Sequence, residues 1–466
     1  MKAFTEPLLS LAGFEEMTKT AEKSSGLISV TGCIDAQKSQ MIYAFGGHRK
    51  NKLIVTFGEQ KAKELYDEYS FFDKEVVYYP SKDVLFYQSD IRGNLLTAER
   101  IRALKAIREQ ERVTLVTTFD ALMNTMAPIE KMWENVLTLE QGQLLDLKEI
   151  QAALIRMGYE KEYQVQTMGQ FSVRGGILDV FPLTEENPIR IELWGDEIDT
   201  IRYFDCESQK SIENIDRVSI YPAAELVLSD EEKAGGIDKL KAEAKRVSDK
   251  LRKQMKTEEA HRVSVMADEL TEEWGELSMY AGMDAFLSYF FDERVGILDY
   301  FNPSDSLIFF DELTRCVEQG KLTETEFSES MKQRLAMGYI LPGQMNGLFT
   351  EKEIVAKLEK YSCIALGALD NKANGLHQLG SYGIHCQSVS PYNNSFELLI
   401  KDLKRYKKNG YRVILLSGSR TRAKRLSEDI TDQGITCFYT ENYDHELSEG
   451  QIMVCYGKVR RGFEYP

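Results

Sequence analysis

The chain has 466 residues, a length that predicts three or four domains. Hydrophobic residues make up 43% and charged residues 28%, as in ordinary globular proteins. The sequence contains no run of about 18 apolar residues, so no membrane span is predicted. The net charge of −16 argues against DNA binding by the chain as a whole and favours protein binding. A local basic patch is still compatible with this net charge.

The first part of the chain, residues 1–125, alternates short apolar runs with helical segments. Strands are predicted at 27–31, 52–57, 75–79 and 114–118, and helices at 59–70 and 98–109. This alternation predicts a parallel sheet with helices packed on it.

The pattern changes in residues 126–215, where short strands follow one another closely. A helix at 147–157 precedes predicted strands at 171–173, 177–181, 189–194 and 198–204. Gly195–Asp196 fits a hairpin turn, and Gly175–Gly176 predicts a bulge or a sharp bend. The region is therefore predicted to be a small antiparallel α+β domain.

Residues 216–340 are predicted to complete the first α/β domain. They begin with long charged helices within 229–275, which Gly235–Gly236 is expected to break, and return to an apolar strand at 305–312. Residues 341–466 are predicted to form an additional α/β domain. Its strands are expected at 362–366, 411–417, 436–439 and 452–456, and its helices at 395–408 and 421–433.

A degraded phosphate-binding loop follows the first predicted strand. The loop GxxxxGK[ST] needs glycines so that backbone N–H groups can close around phosphate, and a lysine that reaches the terminal phosphates. Gly32, Lys38 and Ser39 stand at that spacing. Gln37 replaces the second glycine, and Asp35 places a negative charge inside the loop, so we expect the loop to bind phosphate poorly.

The matching second half of such a site is the strand that ends in Asp311 and Glu312. In P-loop motors these positions hold Mg²⁺ and position the attacking water. A buried strand with an acidic end is the plainer interpretation. Together, Gly32, Lys38, Ser39, Asp311 and Glu312 predict a vestigial nucleotide site without catalytic residues, so no cofactor is expected for this chain.

The spacing of the cysteines and histidines indicates whether the chain could form a metal site or disulfides. The seven cysteines are scattered without a CxxC spacing, and the five histidines show no metal-ligand spacing. We therefore expect no metal and no disulfide framework. With an amino terminus that lacks a signal-peptide layout, this predicts a cytoplasmic protein.

Two segments in the antiparallel region carry a specific resemblance. Residues 169–182 read GQFSVRGGILDVFP, and residues 188–199 read PIRIELWGDEID. They resemble the UvrA-binding domain shared by UvrB and the Mfd family of transcription-repair coupling factors. The fold that this implies is a multidomain α/β protein with two Rossmann-like or P-loop-like parallel-sheet domains and an inserted UvrB-type α+β domain.

Two departures favour the coupling factors over UvrB. The phosphate loop is degraded, and the sequence between Phe119 and Gly169 lacks the aromatic-rich hairpin with which UvrB clamps DNA. The resemblance implies a monomeric adaptor region that recruits UvrA to stalled RNA polymerase in nucleotide excision repair. In the family, domains downstream bind RNA polymerase and translocate on double-stranded DNA at the expense of ATP, so ATP and Mg²⁺ belong to those domains.

The resemblance places the UvrA contacts at Arg174, Arg190 and Trp194. Alternation along strand 189–194 puts Arg190, Glu192 and Trp194 on the face opposite the apolar side chains, and arginine and tryptophan are enriched in binding hot spots. The plainer alternative is that Arg190 only pairs with Glu192 or Glu197 and that Trp194 folds over its own turn.

Two rival functions stay open from the sequence. One is an ATPase or helicase-like module that uses Lys38 with Asp311 and Glu312, and the other is direct binding of damaged DNA. The basic run 401–408 reads as a solvated helix face or as a weak nucleic-acid contact, and residues 417–421 as a plain strand-to-helix turn or an anion site.

Overall fold

The computed structural model describes residues 1–45, 49–82, 94–276, 283–369, 372–392 and 395–466. The helices are α1 (Lys2–Leu9), α2 (Phe14–Lys23), α3 (Asp35–Phe45), α4 (Glu59–Tyr69), α5 (Asn94–Glu109), α6 (Phe119–Met123), α7 (Ile129–Glu134), α8 (Leu147–Arg156), α9 (Asp230–Lys253), α10 (Thr257–Glu276), α11 (Leu287–Phe290), α12 (Leu313–Ala336), α13 (Glu351–Leu358), α14 (Phe396–Lys408) and α15 (Arg420–Asp432). Short 3₁₀ turns lie at Met283–Phe286, Ile297–Tyr300 and Pro342–Asn346.

The strands are β1 (Gly26–Thr31), β2 (Asn51–Thr56), β3 (Val77–Tyr79), β4 (Val113–Thr118), β5 (Leu137–Glu140), β6 (Glu160–Lys161), β7 (Gln170–Arg174), β8 (Ile177–Val180), β9 (Ile189–Trp194), β10 (Glu197–Phe204), β11 (Ser211–Ile215), β12 (Arg217–Ile220), β13 (Ser306–Asp311), β14 (Ser362–Leu366), β15 (Gln378–Gly383), β16 (Gln387–Ser388), β17 (Val413–Ser417), β18 (Phe438–Tyr439), β19 (Ile452–Tyr456) and β20 (Phe463–Glu464).

A large parallel sheet forms the centre of the molecule, with the strand order β15-β1-β14-β13-β2-β4-β3. Strands β4, β13 and β14 are buried along their whole length, as expected for strands covered by helices on both faces. This confirms the predicted α/β class and the parallel pairing of the first part of the chain.

Strand β14 corrects one sequence prediction. Residues 362–366 were expected in a further domain at 341–466, but β14 lies between β1 and β13 in the large sheet. Strand order depends on contacts between segments far apart in the chain, which local periodicity does not report. The domain ranges as such stay predictions.

The small antiparallel sheet has the order β11-β10-β9-β8-β7-β6, and only β6 and β7 among its pairs run parallel. Its apolar face packs on α8, the helix predicted at 147–157. Arg174 pairs with Ile177, so Gly175–Gly176 form a hairpin turn rather than the expected bulge or bend.

Both ends of this region differ from the predicted range 126–215. At the amino-terminal end, α7 contributes Ile129 and Met132 to the core of the large sheet. At the carboxyl end, β12 pairs with β5, although residues 217–220 were expected in the first α/β domain. The small domain is closed by this strand pair, a long-range contact that the sequence pattern did not reveal.

Helices α9 and α10 pack against each other around a core that includes Leu240, Val263 and the buried Trp274. The expected break at Gly235–Gly236 is wrong, because α9 continues through both glycines. A Cβ at Gly236 would lie 2.1 Å from the ring of Phe290. The close approach of that ring explains this glycine.

The last sheet has the order β17-β19-β18, and its strands run parallel. One face, which includes Val413 and Ile452, is covered by α14 and α15. The opposite face, which includes Met453 and Cys455, packs against Phe4 and Phe72 from the first part of the chain. The second parallel α/β unit that the sequence predicted is therefore present.

Candidate functional site

The polar face of the small sheet carries the residues predicted to bind a partner. Register places Asp179 beside Arg190, Ile177 beside Glu192, and Trp194 beside Glu197. Because directly paired residues project to the same side of a sheet, these side chains share the face opposite the apolar core. The buried side chains of Ile189 and Ile191 line the other face, as the alternation predicted.

Asp179 brings the two predicted arginines together. Its side chain is only 1% exposed and accepts hydrogen bonds from Arg190 Nε at 2.7 Å and Arg190 Nη2 at 2.8 Å. Arg174 Nη2 donates to the same carboxylate at 3.1 Å. A buried charge is stabilised only when it is paired and hydrogen-bonded, so one carboxylate fixes both guanidinium groups.

Further contacts hold Arg190 in place. Its Nη2 donates to Gln209 Oε1 at 2.8 Å, and its guanidinium lies over the ring of Phe204 at 4.3 Å. The hydrogen bond to Asp179 is the main reason that the pKa of Arg190 is raised. The guanidinium is therefore preorganised and permanently charged.

The plainer interpretation of Arg190 had it pairing with Glu192 or Glu197, and the structure does not bear it out. Glu192 instead accepts hydrogen bonds from Arg202, one of them at 2.9 Å, and from Thr200 at 3.2 Å. The hydrogen bond from Arg202 is the largest cause of the lowered pKa of Glu192. The two arginines of β9 and β10 thus use different carboxylates.

Trp194 lies open to solvent at the end of the same face. The residue is 84% exposed, so it does not fold over its own turn. Leu144, 75% exposed, bridges to Glu197 from the other side. Trp194, Glu197 and Leu144 therefore form one row, with two exposed apolar side chains on either side of a carboxylate.

Three of the five predicted nucleotide-site residues, Lys38, Asp311 and Glu312, are bonded to one another, whereas the buried Ser39 Oγ has no hydrogen-bond partner among the described residues. Lys38 is 1% exposed and donates to Asp311 Oδ1, to Asp35 Oδ1 at 2.9 Å and to Glu312 Oε1 at 3.2 Å. The second oxygen of Asp311 accepts from Thr56 at 3.2 Å. The lysine charge is therefore met by protein carboxylates.

Both pKa values in this cluster follow from that pairing. Burial by itself lowers the pKa of Lys38, but Asp311 and Asp35 outweigh it and the net shift is upward. Burial by itself raises the pKa of Asp35, but hydrogen bonds from Lys61 and Lys38 lower it to about 2. Lys38 and Asp35 are therefore both charged at neutral pH.

The backbone of the loop is occupied as well. Gly32 N donates to the carbonyl of Ala368 at 3.2 Å, and Cys33 N donates to that of Gly367 at 3.0 Å. A Cβ at Gly32, where φ is +76°, would lie 2.0 Å from the carbonyl oxygen of Ile384. The first two N–H groups of the loop are thus hydrogen-bonded to neighbouring carbonyls and are not free to bind a phosphate.

Residues 137–226 match the family model of the UvrB interaction domain. This match confirms the resemblance stated from the sequence, and we call residues 137–226 the UvrB-interaction segment. It contains Asp179 and the predicted contacts Arg174, Arg190 and Trp194.

Similarity extends beyond this segment to transcription-repair-coupling factors. The chain is 26% identical to that of Bacillus subtilis over 89% of its own length and 35% of the relative. It is 26% identical to those of Staphylococcus haemolyticus and Staphylococcus aureus, over 94% and 97% of this chain and 37% and 38% of those proteins. The chain therefore spans little more than a third of the relatives it matches.

Asp179 and Leu144 were missed from the sequence. Asp179 alternates with Leu178 and Val180 in a short apolar strand, which was a usable signal for a polar residue on the outer face. Leu144 lies outside the predicted strands, and its position beside Glu197 follows from tertiary contact alone.

No described helix is both long and apolar enough to cross a membrane. Within the same ranges, no group of three or more His, Cys, Asp or Glu side chains could hold a metal ion.

Proposed function

We propose that this chain is an adaptor that binds UvrA through the polar face of the UvrB-interaction segment. The observation that carries the proposal is an 84% exposed Trp194 on the face where Asp179 fixes Arg190 and Arg174. A rigid aromatic side chain beside preorganised arginines is the composition of a binding hot spot.

The longer protein to which this region belongs is proposed to couple transcription to nucleotide excision repair. Other domains of it would bind RNA polymerase and double-stranded DNA and use ATP to displace a stalled polymerase. The names of the similar proteins support the coupling role, whereas the roles in binding RNA polymerase and DNA and in using ATP are what the resemblance implies. We also propose that the protein is a monomer and that it is cytoplasmic. The seven free cysteines support the cytoplasmic location, because a reducing compartment keeps thiols reduced.

The test of UvrA binding is a calorimetric titration of the whole chain with purified UvrA. Replacing Arg174, Arg190 and Trp194 together by alanine should abolish binding, and Trp194→Ala alone should weaken it by about 2 kcal/mol or more. Leu322→Ala is the matched control, because Leu322 is 59% exposed on α12, outside the segment. A folded triple variant that binds like the parent would place the interface elsewhere.

Leu144 is proposed as a further UvrA contact. It lies in the same row as Trp194, and both side chains offer apolar surface to a partner. Leu144→Ala should therefore weaken UvrA binding less than Trp194→Ala but more than Leu322→Ala. Equal affinities for Leu144→Ala and Leu322→Ala would remove Leu144 from the interface.

The nucleotide-site remnant is proposed to be a structural ion-pair cluster without catalysis. ATP should give no binding heat, and Lys38→Ala should lower the free energy of unfolding by roughly 3–5 kcal/mol, because Asp311 would stay buried without its partner. Lys61→Ala, which removes a partly exposed contact to Asp35, should cost much less. ATP affinity that disappears in Lys38→Ala would favour the ATPase alternative instead.

A further inference from the structure

We propose that the helical layer of the last sheet carries a second binding surface, which holds the phosphate backbone of duplex DNA. The starting observation is a segregation of charge. Residues 401–425 contain ten lysines and arginines and one acidic residue, a net charge of +9, whereas the whole chain carries −16. The rest of the chain therefore carries −25, so this segment has a net charge opposite in sign to that of the remainder.

All ten basic residues of this segment are exposed. On α14, Lys401, Lys404, Arg405 and Lys408 follow a spacing of three and four residues, so they form one stripe along the helix. The buried side chains of α14, Ile400, Leu403 and Tyr406, lie on the opposite side. The stripe therefore points away from the sheet and toward solvent.

Helix α15 continues the basic surface. Arg420, Arg422, Lys424 and Arg425 occupy its first half, whereas its acidic residues lie in the second half. Both helices pack on the same face of the sheet, since Leu403 of α14 and Ala423 of α15 belong to one apolar cluster with Val454. The basic side chains of the two helices thus lie on the same side of the last sheet, and together they are called the basic strip below.

The two helices run in the same direction, because each connects to β17 and lies antiparallel to it. The basic half of α15 is at the carboxyl end of β17, and the carboxyl-terminal basic residues of α14 are at the other end. The basic strip therefore crosses the layer diagonally over about 20 Å, the length of a 13-residue helix. A duplex presents many phosphates over that distance.

Few of these charges are neutralised within the protein. Arg405 lies 3.4 Å from Asp402, and Arg420 lies 3.4 Å from Glu441. The other basic residues of the strip make no ion pair with any residue that the structure describes. Like charges at this density repel one another, so a polyanion that released its counterions would gain free energy by binding here.

The composition of the strip favours duplex over single-stranded nucleic acid. Single strands are bound by aromatic side chains on which bases stack. The two tyrosines of the segment, Tyr406 and Tyr411, pack against each other with ring centroids 5.1 Å apart, and Tyr406 is buried. The exposed Tyr456 lies beside the strip, but the guanidinium of Arg420 is over its ring at 6.0 Å. The strip therefore offers mainly phosphate contacts, which predicts binding that ignores base sequence.

The experiment is a titration of a fluorescent DNA duplex with the whole chain at several salt concentrations. The parent should bind with an affinity that falls steeply with salt. The triple variant Lys404→Gln, Lys408→Gln, Arg425→Gln should reduce the slope of log K against log salt by roughly 2–3, at about 0.9 for each phosphate contact. The unfolding midpoint of each variant, measured in denaturant, establishes that it is folded.

The matched control removes three exposed lysines of α9, Lys241→Gln, Lys245→Gln and Lys250→Gln, with the same change of net charge. It should keep the slope of the parent. The proposal is overturned if the parent shows no salt-dependent binding, if both triple variants lose the same slope, or if single-stranded RNA binds more tightly than the duplex. Because no arm contains UvrA, the result is independent of the UvrA interface.

Discussion

A single carboxylate organises the proposed UvrA surface at the scale of residues. Asp179 is almost fully buried and holds Arg190 through two hydrogen bonds and Arg174 through one. The arginines keep their donors aimed in fixed directions, so a partner meets an ordered surface and loses less entropy on binding. Asp179 acts on the interface through the arginines and need not touch the partner.

Asp179→Asn should destabilise the protein. The amide cannot neutralise two guanidinium groups, of which Arg190 is largely buried, so we expect a loss of about 1–3 kcal/mol in the free energy of unfolding. Urea denaturation would measure it. Glu213→Gln on the exposed edge strand β11 is the control and should change stability by less than about 0.5 kcal/mol. Equal effects of the two substitutions would contradict the role given to Asp179.

At the scale of elements, the two adjacent glycines of helix α9 have different surroundings. Gly235 is exposed, and a Cβ there would meet nothing within 4 Å. Gly236 is buried, and a Cβ there would collide with Phe290. The helix continues through both because the packing of α9 against the neighbouring helices outweighs the low helix propensity of glycine.

The two glycines should therefore respond in opposite directions to alanine. Gly235→Ala should stabilise the protein by up to about 1 kcal/mol, because alanine is the better helix former and has room. Gly236→Ala should destabilise it by about 1–3 kcal/mol, because the ring of Phe290 must move. Thermal unfolding of the two variants would measure these changes in stability. A destabilised Gly235→Ala would contradict the prediction that this position of α9 is exposed and has room for a side chain.

On the scale of the whole molecule, a buried ion-pair network joins three parts of the chain. Glu225, in the last residues of the UvrB-interaction segment, accepts hydrogen bonds from Arg100 of α5, Nε to Oε1 at 2.7 Å and Nη2 to Oε2 at 3.1 Å. Lys82 lies 3.0 Å from Glu225 and 2.6 Å from Asp284. The network attaches the carboxyl-terminal end of the UvrB-interaction segment to α5 beside the large sheet and to the 3₁₀ turn before α11.

This network makes stability depend on acid pH. Burial alone would raise the pKa of Glu225, but Arg100 and Lys82 lower it from 4.5 to about 2. A lowered folded-state pKa means that the stabilisation is fully present above the unfolded-state value and is lost as pH falls from about 4.5 to about 2. Unfolding free energies measured across that window should therefore decline with falling pH.

Glu225→Gln should remove part of that decline and should cost about 3–5 kcal/mol at neutral pH, because Arg100 would remain buried without its carboxylate. Glu258→Gln is the control, since Glu258 is exposed on α10 and should leave the pH profile as it is. A Glu225→Gln profile parallel to that of the parent would mean that other carboxylates dominate acid unfolding.

The sequence alone determined several of the helices and strands, for example β9, β19 and α14, but it did not predict others such as α12 and β15. It did so because side-chain periodicity is a local property of the chain. The same alternation placed Trp194 on the outer face of β9, and short motifs sufficed for the resemblance to the UvrA-binding domain.

Only the tertiary structure decided which distant residues meet. It put β14 in the large sheet and paired Arg190 with Asp179 instead of Glu192. In the degraded phosphate loop, Lys38 bonds to Asp35 and the backbone N–H groups of Gly32 and Cys33 bond to neighbouring carbonyls. It also put α14 and α15 on the same face of the last sheet, so that two separate basic runs lie on one side of it. Each of these depends on contacts across many residues of chain, and the energy of such contacts leaves no periodic trace in the sequence.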